Sequence, residues 1–189
     1  MTTISRPHTG VHVRTVHSPA EWRAAESLHA DHLRWLAAAT GVPSAAGDRP
    51  ADDRPGGVPE PGGLAAGYAR PGSCLLFATV GWTAAGILGI VPFDEPDARS
   101  GTALLTRFWV DPWARGLGAG VALLDAADRA AAALGHRTLR LEAVPSVMRR
   151  AVGLSRGMGF SVVGHTTVGP LAGVVLARAV SLSDEAPAA

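Results

Sequence analysis

The sequence predicts an α/β (α+β) domain in which a mixed β-sheet carries helices on its faces. Two patterns predict it. Short apolar segments, several of them alternating with polar residues, lie between turns that contain Gly or Pro, which is typical of strands. Longer segments with apolar residues at helical spacing separate some of these strands, and a glycine follows each of them. The resulting order is β-α-loop-β-β-β-α-β-α-β-β.

A strand and a long helix open the chain. Val11–Val16 alternates apolar and polar residues and is predicted to be the first strand. The next element is predicted to be a helix over Pro19–Thr40 that ends at Gly41. Ser18 suits its N-cap, and Glu21 completes a capping box, in which each residue satisfies a free backbone N–H of the other.

The segment 41–72 breaks this pattern. Its prolines and glycines argue against regular structure over most of its length, and only Leu64–Ala69 is predicted to form a short helical turn. A loop of this length inside a compact domain is usually a lid, a binding loop or a disordered segment. Two interpretations therefore stay open, a mobile flap beside a substrate site and simple disorder.

The elements after this insert are predicted from the same signals. The predicted strands are Cys74–Val80, Ala85–Phe93, Thr102–Val110, Thr138–Val144, Phe160–Val168 and Val174–Leu182. The predicted helices are Gly118–Leu134 and Ser146–Gly157. Pro112 ends the third of these strands, because proline cannot continue a central ladder. We expect one domain over residues 11–182 and a disordered tail at 183–189, which has nothing to bury.

Composition and charge exclude several classes of protein. The formal net charge of the 189 residues is +1, which argues against a nucleic-acid binder that relies on bulk electrostatics. The longest apolar stretches fall far short of the roughly 20 residues of a membrane helix. Residues 1–10 carry no apolar core of signal-peptide length. We therefore expect a cytoplasmic protein that binds neither nucleic acid nor membrane.

The sequence also argues against a metal site. Cys74 is the one cysteine, so neither an intramolecular disulfide nor a cysteine metal cluster can form, and we predict a small buried side chain. His29, Asp31 and His32 lie close together on the first helix, but no further ligand follows at a recognisable spacing. We predict that these residues lie on the surface or contact a substrate, and that they bind no metal.

The most informative segment is Val110–Gly120, where a strand ends and a glycine-rich turn leads directly into a long helix. Gly116, Gly118 and Gly120 let backbone N–H groups converge without interference from Cβ atoms. Free N–H donors and the dipole at a helix N-terminus both favour an anion. The segment therefore predicts a site for a phosphate or a pyrophosphate.

Two other phosphate motifs fit this segment less well. A P-loop requires Gly-Lys-Ser/Thr, whereas Val121 and Ala122 follow Gly120. A dinucleotide-binding fold uses an acidic residue at the end of the next strand, and Glu142 stands near that place. That fold, however, places its glycine turn near the start of a parallel βαβ run, and here a meander of strands precedes the turn.

The motif Arg115-x-x-Gly118-x-Gly120 resembles the pyrophosphate motif Q/R-x-x-G-x-G/A of the GNAT superfamily of N-acetyltransferases. The flanking sequence is similar too, with a strand ending in Val-Asp-Pro, a helix rich in Leu and Ala, and a closing Gly159-Phe160. The likeness extends over residues 11–182 and is clearest over 104–160. It implies a GNAT-like single domain with a mixed, mostly antiparallel sheet of six to seven strands, helices on both faces, and acetyl-CoA as the acyl donor.

The resemblance also implies how the chain would hold acetyl-CoA. The pantetheine arm would pair, like another strand, with the backbone of Phe108, Trp109 and Val110. The pyrophosphate would be held by the N–H groups of Arg115, Gly116, Leu117, Gly118, Ala119 and Gly120. The strands around Val110 and Leu139 would diverge and leave a slot for the thioester carbonyl, which an N–H near Val110 would polarise. Arg149 and Arg150 would either meet the 3′-phosphate of CoA or form a solvated face.

The chain departs from the family at the catalytic positions. Counted back from the closing Gly-Phe pair, the family's tyrosine, thought to protonate the leaving thiolate, falls at Ser155, and its usual asparagine falls at Met148. No carboxylate lies on Thr102–Val110, where many members place the general base. Glu142, on the other central strand, and Ser155 are therefore the catalytic candidates, each with an ordinary structural role as the alternative.

We accordingly predict an N-acetyltransferase that moves acetyl from acetyl-CoA to a primary amine of a small molecule or peptide by direct attack. Two alternatives stay open, a non-catalytic acyl-CoA-binding or regulatory domain and a transferase for a longer acyl group. A weakly basic amine suits the site best, because an amine of pKa about 8 loses its proton at neutral pH at far lower cost than one of pKa about 10.4. The sequence is compatible with a homodimer and does not identify the acceptor.

Overall fold

The structure is a computed structural model that describes residues 10–41, 63–93, 101–168 and 170–181. The strands in these ranges are β1 Val11–Thr15, β2 Cys74–Val80, β3 Thr83–Pro92, β4 Thr102–Val110, β5 Thr138–Ala143, β6 Ser161–Val168 and β7 Leu171–Ala179. The α-helices there are α1 Pro19–Thr40, α2 Ala119–Ala133 and α3 Arg149–Gly157. The strands form one seven-stranded sheet of order β1-β2-β3-β4-β5-β7-β6. Only β4 and β5 pair in parallel within it, so the mixed, mostly antiparallel sheet is confirmed.

Element boundaries differ from the predicted ones by a few residues. α3 begins at Arg149 rather than Ser146, because the N–H groups of Val147 and Met148 both donate to the carbonyl of Val144 in a turn. The strand limits that moved most are those of β3, which begins at Thr83 rather than Ala85, and of β7, which covers Leu171–Ala179 rather than Val174–Leu182. None of these shifts changes the order of the elements.

The helices lie on both faces of the sheet, as the resemblance implies. α2 covers one face, where its leucines and alanines pack on apolar residues of β2 to β5 and β7 together with residues of α3. α1 covers the opposite face, where Leu28 packs with Ile87 and Trp109. No helix in the described ranges is both long and apolar enough to span a membrane. The two faces therefore have separate apolar clusters, and the sheet lies between them.

The capping box predicted at the start of α1 is present. The Ser18 hydroxyl accepts from the Glu21 N–H at 3.2 Å, and the Glu21 carboxylate accepts from the N–H groups of Ser18 and His17 at 3.0 Å each. These backbone bonds, with that of Ser18 first, and the Arg14 side chain lower the pKa of Glu21 to about 2. The cap is therefore charged and intact at neutral pH.

Part of the insert is packed against the sheet. The predicted helical turn forms a 3-10 helix at Ala66–Tyr68, and the buried Tyr68 hydroxyl lies 3.0 Å from Thr106 Oγ1. The proposed flap over residues 42–62 and the tail at 183–189 lie outside the described residues. The insert therefore returns to the sheet through Tyr68, on the face that α1 covers.

A bulge interrupts β4 in its second half. Arg107 and Phe108 together oppose the single residue Leu88 of β3. Arg107 has a φ of 51°, a left-handed conformation that costs a non-glycine residue on the order of 1–3 kcal/mol. Its Nη1 donates to the Tyr68 hydroxyl at 3.0 Å, which ties the bulge to the packed part of the insert.

β4 and β5 pair only over the first four residues of each strand. Thr102–Leu105 pairs with Thr138–Leu141, and β4 then extends to Val110 beyond the paired part. The divergence expected around Val110 and Leu139 is present at Val110, which has no partner on β5, but not at Leu139, which pairs with Ala103. The strands separate only after Leu141, where the bulge bends β4 away from its partner.

Because Gly89 has no side chain, the Tyr68 hydroxyl can lie directly against β3 at this position. A Cβ at Gly89 would lie 1.9 Å from Tyr68 Oη and 2.5 Å from Thr106 Oγ1. We expect Gly89→Ala to lower the free energy of unfolding by at least about 2 kcal/mol, measured by chemical denaturation. Gly153→Ala in α3 is the control, because a Cβ there meets nothing within 4 Å and alanine should stabilise the helix by up to about 1 kcal/mol. Equal stability of the Gly89 variant and the native protein would contradict this packing.

Candidate active site

The N-terminus of α2 exposes backbone N–H donors and has no capping side chain. Its N-cap is Gly118, with a φ of 90°, so no side chain caps the helix, and its first turn contains no acidic residue. Gly116 has a φ of 85°, another left-handed conformation. The N–H of Ala122 bonds to the Gly118 carbonyl, whereas the N–H groups of residues 119–121 have no acceptor within the helix. These donors and the helix dipole together attract an anion.

Gly120 is required for space rather than for its backbone conformation. A Cβ at this position would lie 3.0 Å from Leu154 Cδ2, 3.7 Å from Val110 Cγ2 and 3.8 Å from Phe108 Cζ. The first turn of α2, the end of β4 and the middle of α3 therefore enclose a narrow space that a side chain would fill. Such a space suits a ligand that lies directly against the backbone.

A cavity of about 680 Å³ extends from this helix terminus to both faces of the sheet. On one face it is lined by His32 and Trp35 of α1, and on the other by α3 and the turn before it, including Met148 and Leu154. The end of β4 lies between the two sides. The cavity therefore joins the anion site to the α1 side of the sheet, past the place where β4 leaves β5.

Most of the residues predicted to hold the cofactor line this cavity. They are Phe108, Trp109, Val110, Arg115, Gly116, Gly118 and Gly120. Leu117 and Ala119 are not among the lining residues, since the Leu117 side chain is about half exposed and Ala119 is buried in a small cluster with Ala85 and Ala114. The role predicted for these two residues is through their backbone N–H groups. The Leu117 N–H, however, donates to the Ala114 carbonyl at 3.2 Å, and the Arg115 N–H donates to the Pro112 carbonyl at 3.4 Å, so a pyrophosphate would have to share or replace these bonds. The role of the Ala119 N–H stays a prediction.

The two predicted catalytic residues lie outside the lining of the cavity. The Glu142 carboxylate accepts from Arg140 Nη2 at 3.0 Å, two residues away on β5. Ser155 is fully buried in α3, and its hydroxyl has no hydrogen-bond partner among the described residues. Met148, which stands where the family has asparagine, does line the cavity but offers only a thioether. The catalytic roles of Glu142 and Ser155 stay predictions.

Three arginines give the cavity a positive charge. Arg115 Nε donates to the Val110 carbonyl at 3.1 Å, and its guanidinium carbon lies 4.9 Å from the centroid of the Trp109 ring. Arg149 and Arg150 at the start of α3 line the cavity as well. No Asp or Glu from the described ranges is among the lining residues. This charge suits a ligand with several phosphate groups.

The α1 side of the cavity is aromatic. The His32 ring stacks on Trp109, with centroids 5.1 Å apart and planes at 18°. The Trp35 ring lies 5.5 Å from that of Trp109 and 6.3 Å from that of His32. Sequence analysis singled out His32 but missed Trp35, which its position three residues later on the same helix face could have indicated. We name His32, Trp35 and Trp109 the ring corner.

Both histidines of α1 are held in the neutral form. Burial lowers the pKa of His32 to about 4, with smaller contributions from His29 and Arg107. Burial and Arg107 likewise lower the pKa of His29 to about 4. The described part of the chain contains no group of three His, Cys, Asp or Glu residues that could hold a metal ion. Burial and the Arg107 guanidinium therefore disfavour a positive charge on either ring.

Cys74 is partly buried against the cluster under α2. Burial raises the pKa of its thiol to about 11. The thiolate is the nucleophilic form of cysteine, and at neutral pH this residue is overwhelmingly the thiol. The side chain therefore has the packing role that its place in the sequence predicts.

Comparison with solved structures gives the same fold. An acetyltransferase of the GNAT family from Staphylococcus aureus Mu50 is 16% identical, with a TM-score of 0.63 and coverage of 91% of this chain and 100% of that chain. A GCN5-related N-acetyltransferase from Kribbella flavida is 22% identical, with a TM-score of 0.62 and coverage of 90% and 98%. A Salmonella typhimurium protein described as an acetyltransferase, in complex with acetyl-CoA, is 19% identical, with a TM-score of 0.60 and coverage of 95% and 99%. At these identities the likeness shows the fold alone.

Sequence comparison identifies the family. No curated protein sequence matches the chain. The sequence model of the acetyltransferase (GNAT) family matches residues 45–160, which is more than half of the chain and includes β4, the glycine turn, α2 and α3. The chain therefore belongs to the GNAT family of acetyltransferases, whose acyl donor is acetyl-CoA.

Proposed function

We propose that the protein is an acetyl-CoA-dependent N-acetyltransferase that transfers acetyl to a primary amine of a small molecule or peptide by direct attack. The observation that carries the proposal is the single cavity between the uncapped N-terminus of α2 and the α1 side of the sheet. A donor held by its phosphates at one end can present its thioester at the end of β4. A second substrate can then approach from the opposite face.

The phosphate end of acetyl-CoA fits the residues around α2. The N–H groups of residues 118–121 and the left-handed glycines offer a cradle that lacks side chains. The Leu117 N–H already donates to the Ala114 carbonyl at 3.2 Å. The helix dipole supplies about 0.3–2 kcal/mol, so hydrogen bonds from the N–H groups must provide most of the binding. Arg149 and Arg150, at the start of α3, line the cavity and can pair with a phosphate. This is the chemistry that a diphosphate requires.

The end of β4 is suited to the pantetheine arm. Its backbone over Phe108–Val110 lies beyond the part that pairs with β5. Amide groups of a ligand can therefore form hydrogen bonds with the backbone along that edge. Arg115 Nε already bonds to the Val110 carbonyl, so an incoming amide must share or displace that bond. An N–H near Val110 that points at the thioester carbonyl would stabilise the developing oxyanion by about 3 kcal/mol.

The transfer itself needs little acid catalysis. The amine nitrogen forms a bond to the thioester carbon, the C–S bond breaks, and the electron pair leaves on sulfur. A thiol of pKa about 8.5 is a fair leaving group, so a strong proton donor is not essential. Replacement of the family's tyrosine by Ser155 is therefore compatible with turnover.

A non-catalytic acyl-CoA-binding or regulatory domain is the second candidate. It is favoured by the pairing of Glu142 with Arg140 and by the position of Ser155 outside the cavity lining. Release of CoA thiol in the presence of an amine separates the two candidates, since only a transferase produces it. Competition among acyl-CoA esters of increasing length decides whether acetyl or a longer acyl group is preferred.

Gly118→Asp tests the phosphate cradle. The new carboxylate would stand at the N-terminus of α2, where it would repel the pyrophosphate and occupy its donors. We expect isothermal titration calorimetry to show at least a hundredfold loss of acetyl-CoA affinity. Gly135→Asp is the matched control, because Gly135 has a φ of 83° and stands at the other end of the same helix. Both variants carry the same backbone strain, and the control should bind acetyl-CoA like the native protein. Native affinity in Gly118→Asp would place the phosphates elsewhere.

Ser155→Ala tests the predicted proton donor. The substitution removes a buried hydroxyl that has no partner among the described residues, so the free energy of unfolding should stay equal or rise by up to about 1 kcal/mol. We expect kcat with acetyl-CoA to change less than twofold, measured as release of CoA thiol. A loss of more than tenfold without loss of stability would instead assign the hydroxyl to proton transfer.

A further inference from the structure

We propose that the acceptor amine binds in the ring corner of His32, Trp35 and Trp109, and that His32 is the catalytic residue that accepts the proton the amine loses. The acceptor class is a primary amine on an uncharged apolar or aromatic body. This inference rests on the proposed transferase function and concerns the acceptor side of the same cavity.

The first support is the position of the His32 ring. It lines the cavity while only 8% of the residue is exposed, and Trp109 holds the ring by stacking. Its Nδ1 is sealed from solvent and has no hydrogen-bond partner among the described residues, which leaves Nε2 as the nitrogen able to face the cavity. Trp109 Nε1 is buried and unpartnered in the same way.

The second support is the charge around the corner. The cavity lining includes three arginines and, within the described ranges, no carboxylate. Burial, His29 and Arg107 disfavour an imidazolium at His32. The same surroundings disfavour an ammonium ion, so the amine enters in its neutral, nucleophilic form. A polyamine with several positive charges would find no counter-charge there.

The third support is the apolar character of the walls. On the α1 side the cavity is lined by the rings of Trp35 and Trp109, and the apolar side chains Val147, Met148 and Leu154 lie on the opposite, α3 side. An apolar or aromatic body can pack against the two rings while the donor lies on the α3 side. A carboxylate or a second ammonium on the acceptor would lose its hydration without gaining a partner from these side chains. The body attached to the amine is therefore expected to be uncharged.

The chemistry balances with His32 as the proton acceptor. Nε2 accepts a hydrogen bond from the amine while Nδ1 carries the ring proton. As the nitrogen bonds to the thioester carbon and the C–S bond breaks, the electron pair leaves on sulfur and the nitrogen's proton passes to Nε2. Because burial and Arg107 disfavour the imidazolium, it does not accumulate and gives this proton through solvent to the thiolate. The products are the amide and CoA thiol, and His32 is neutral again.

Glu142 is the rival proton acceptor, and the structure favours His32 over it. The Glu142 carboxylate is bonded to Arg140 and does not line the cavity. His32 lines the cavity and has no side-chain hydrogen bond within the described chain that would have to break. Equivalent glutamine substitutions at the two positions therefore separate the two assignments.

The main experiment compares His32→Gln with His29→Gln, using acetyl-CoA with benzylamine as the probe. His29 lies one turn earlier on α1, has a similarly lowered pKa and is not among the lining residues. We expect His32→Gln to lower kcat at least tenfold while the Kd for acetyl-CoA changes less than twofold, and His29→Gln to keep kcat within twofold of the native value. Thermal unfolding of both variants reports on the fold.

Three results would overturn the role of His32. One is a His32→Gln variant that keeps at least half of the native kcat. Another is an equal loss of kcat in both histidine variants, which would indicate a structural role for this helix face. The third is a tenfold loss in Glu142→Gln with none in His32→Gln, which would assign the proton to Glu142.

A second variant keeps the inference testable if His32→Gln does not fold. Trp35→Leu removes one wall of the ring corner, and Trp35 is only partly buried. We expect the KM for benzylamine to rise at least fivefold, while kcat/KM for the small amine ethanolamine changes less than twofold. Equal effects on the two amines would contradict binding of the acceptor body in the corner.

The acceptor class is tested with a panel of benzylamine, spermidine and glycine. We expect kcat/KM for benzylamine to exceed that for spermidine and for glycine at least tenfold, and a preference for either charged amine would overturn the class. If the native protein binds no acetyl-CoA, the transferase proposal fails and this inference with it. If it binds acetyl-CoA but acetylates none of the panel, the inference fails while the cofactor site stands.

Discussion

The separation of β4 from β5 is the constraint on which the rest of the site depends. Parallel pairing stops at Leu105 and Leu141, and the bulge at Arg107 and Phe108 bends the remainder of β4 away. That bend leaves backbone polar groups on one edge without the strand that would normally satisfy them. It also lets one cavity reach both faces of the sheet and holds Trp109 against His32. A fully paired sheet would close the route between donor and acceptor.

The glycine turn before α2 lies at one end of this cavity, and its glycines serve two different purposes. Gly116 and Gly118 adopt left-handed conformations that other residues rarely take, whereas Gly120 leaves space beside Leu154. Together they place an uncapped helix terminus at one end of the cavity. The aromatic residues of α1 stand at the other end, so the proposed donor and acceptor would occupy separate places in one cavity.

Much of this could be predicted from sequence, because the decisive signals are local. The capping box at Ser18 and Glu21 and the glycine turn before α2 follow from rules that involve a few neighbouring residues. The place where the sheet opens could not be predicted from Leu139, because a bulge depends on the register between β3 and β4. The contact of His32 and Trp35 with Trp109 could not be predicted for a similar reason, since it requires α1 to pack on β4 through residues far apart in sequence.

The central claim is that acetyl-CoA lies along the end of β4 with its diphosphate at the N-terminus of α2. Backbone amide chemical shifts of the nitrogen-15-labelled protein during a titration with CoA test this most directly. The account predicts that the largest changes fall on residues 116–121 and 108–110 and saturate together. Saturable binding that leaves those amides unshifted, with the changes concentrated elsewhere on the sheet, would contradict it.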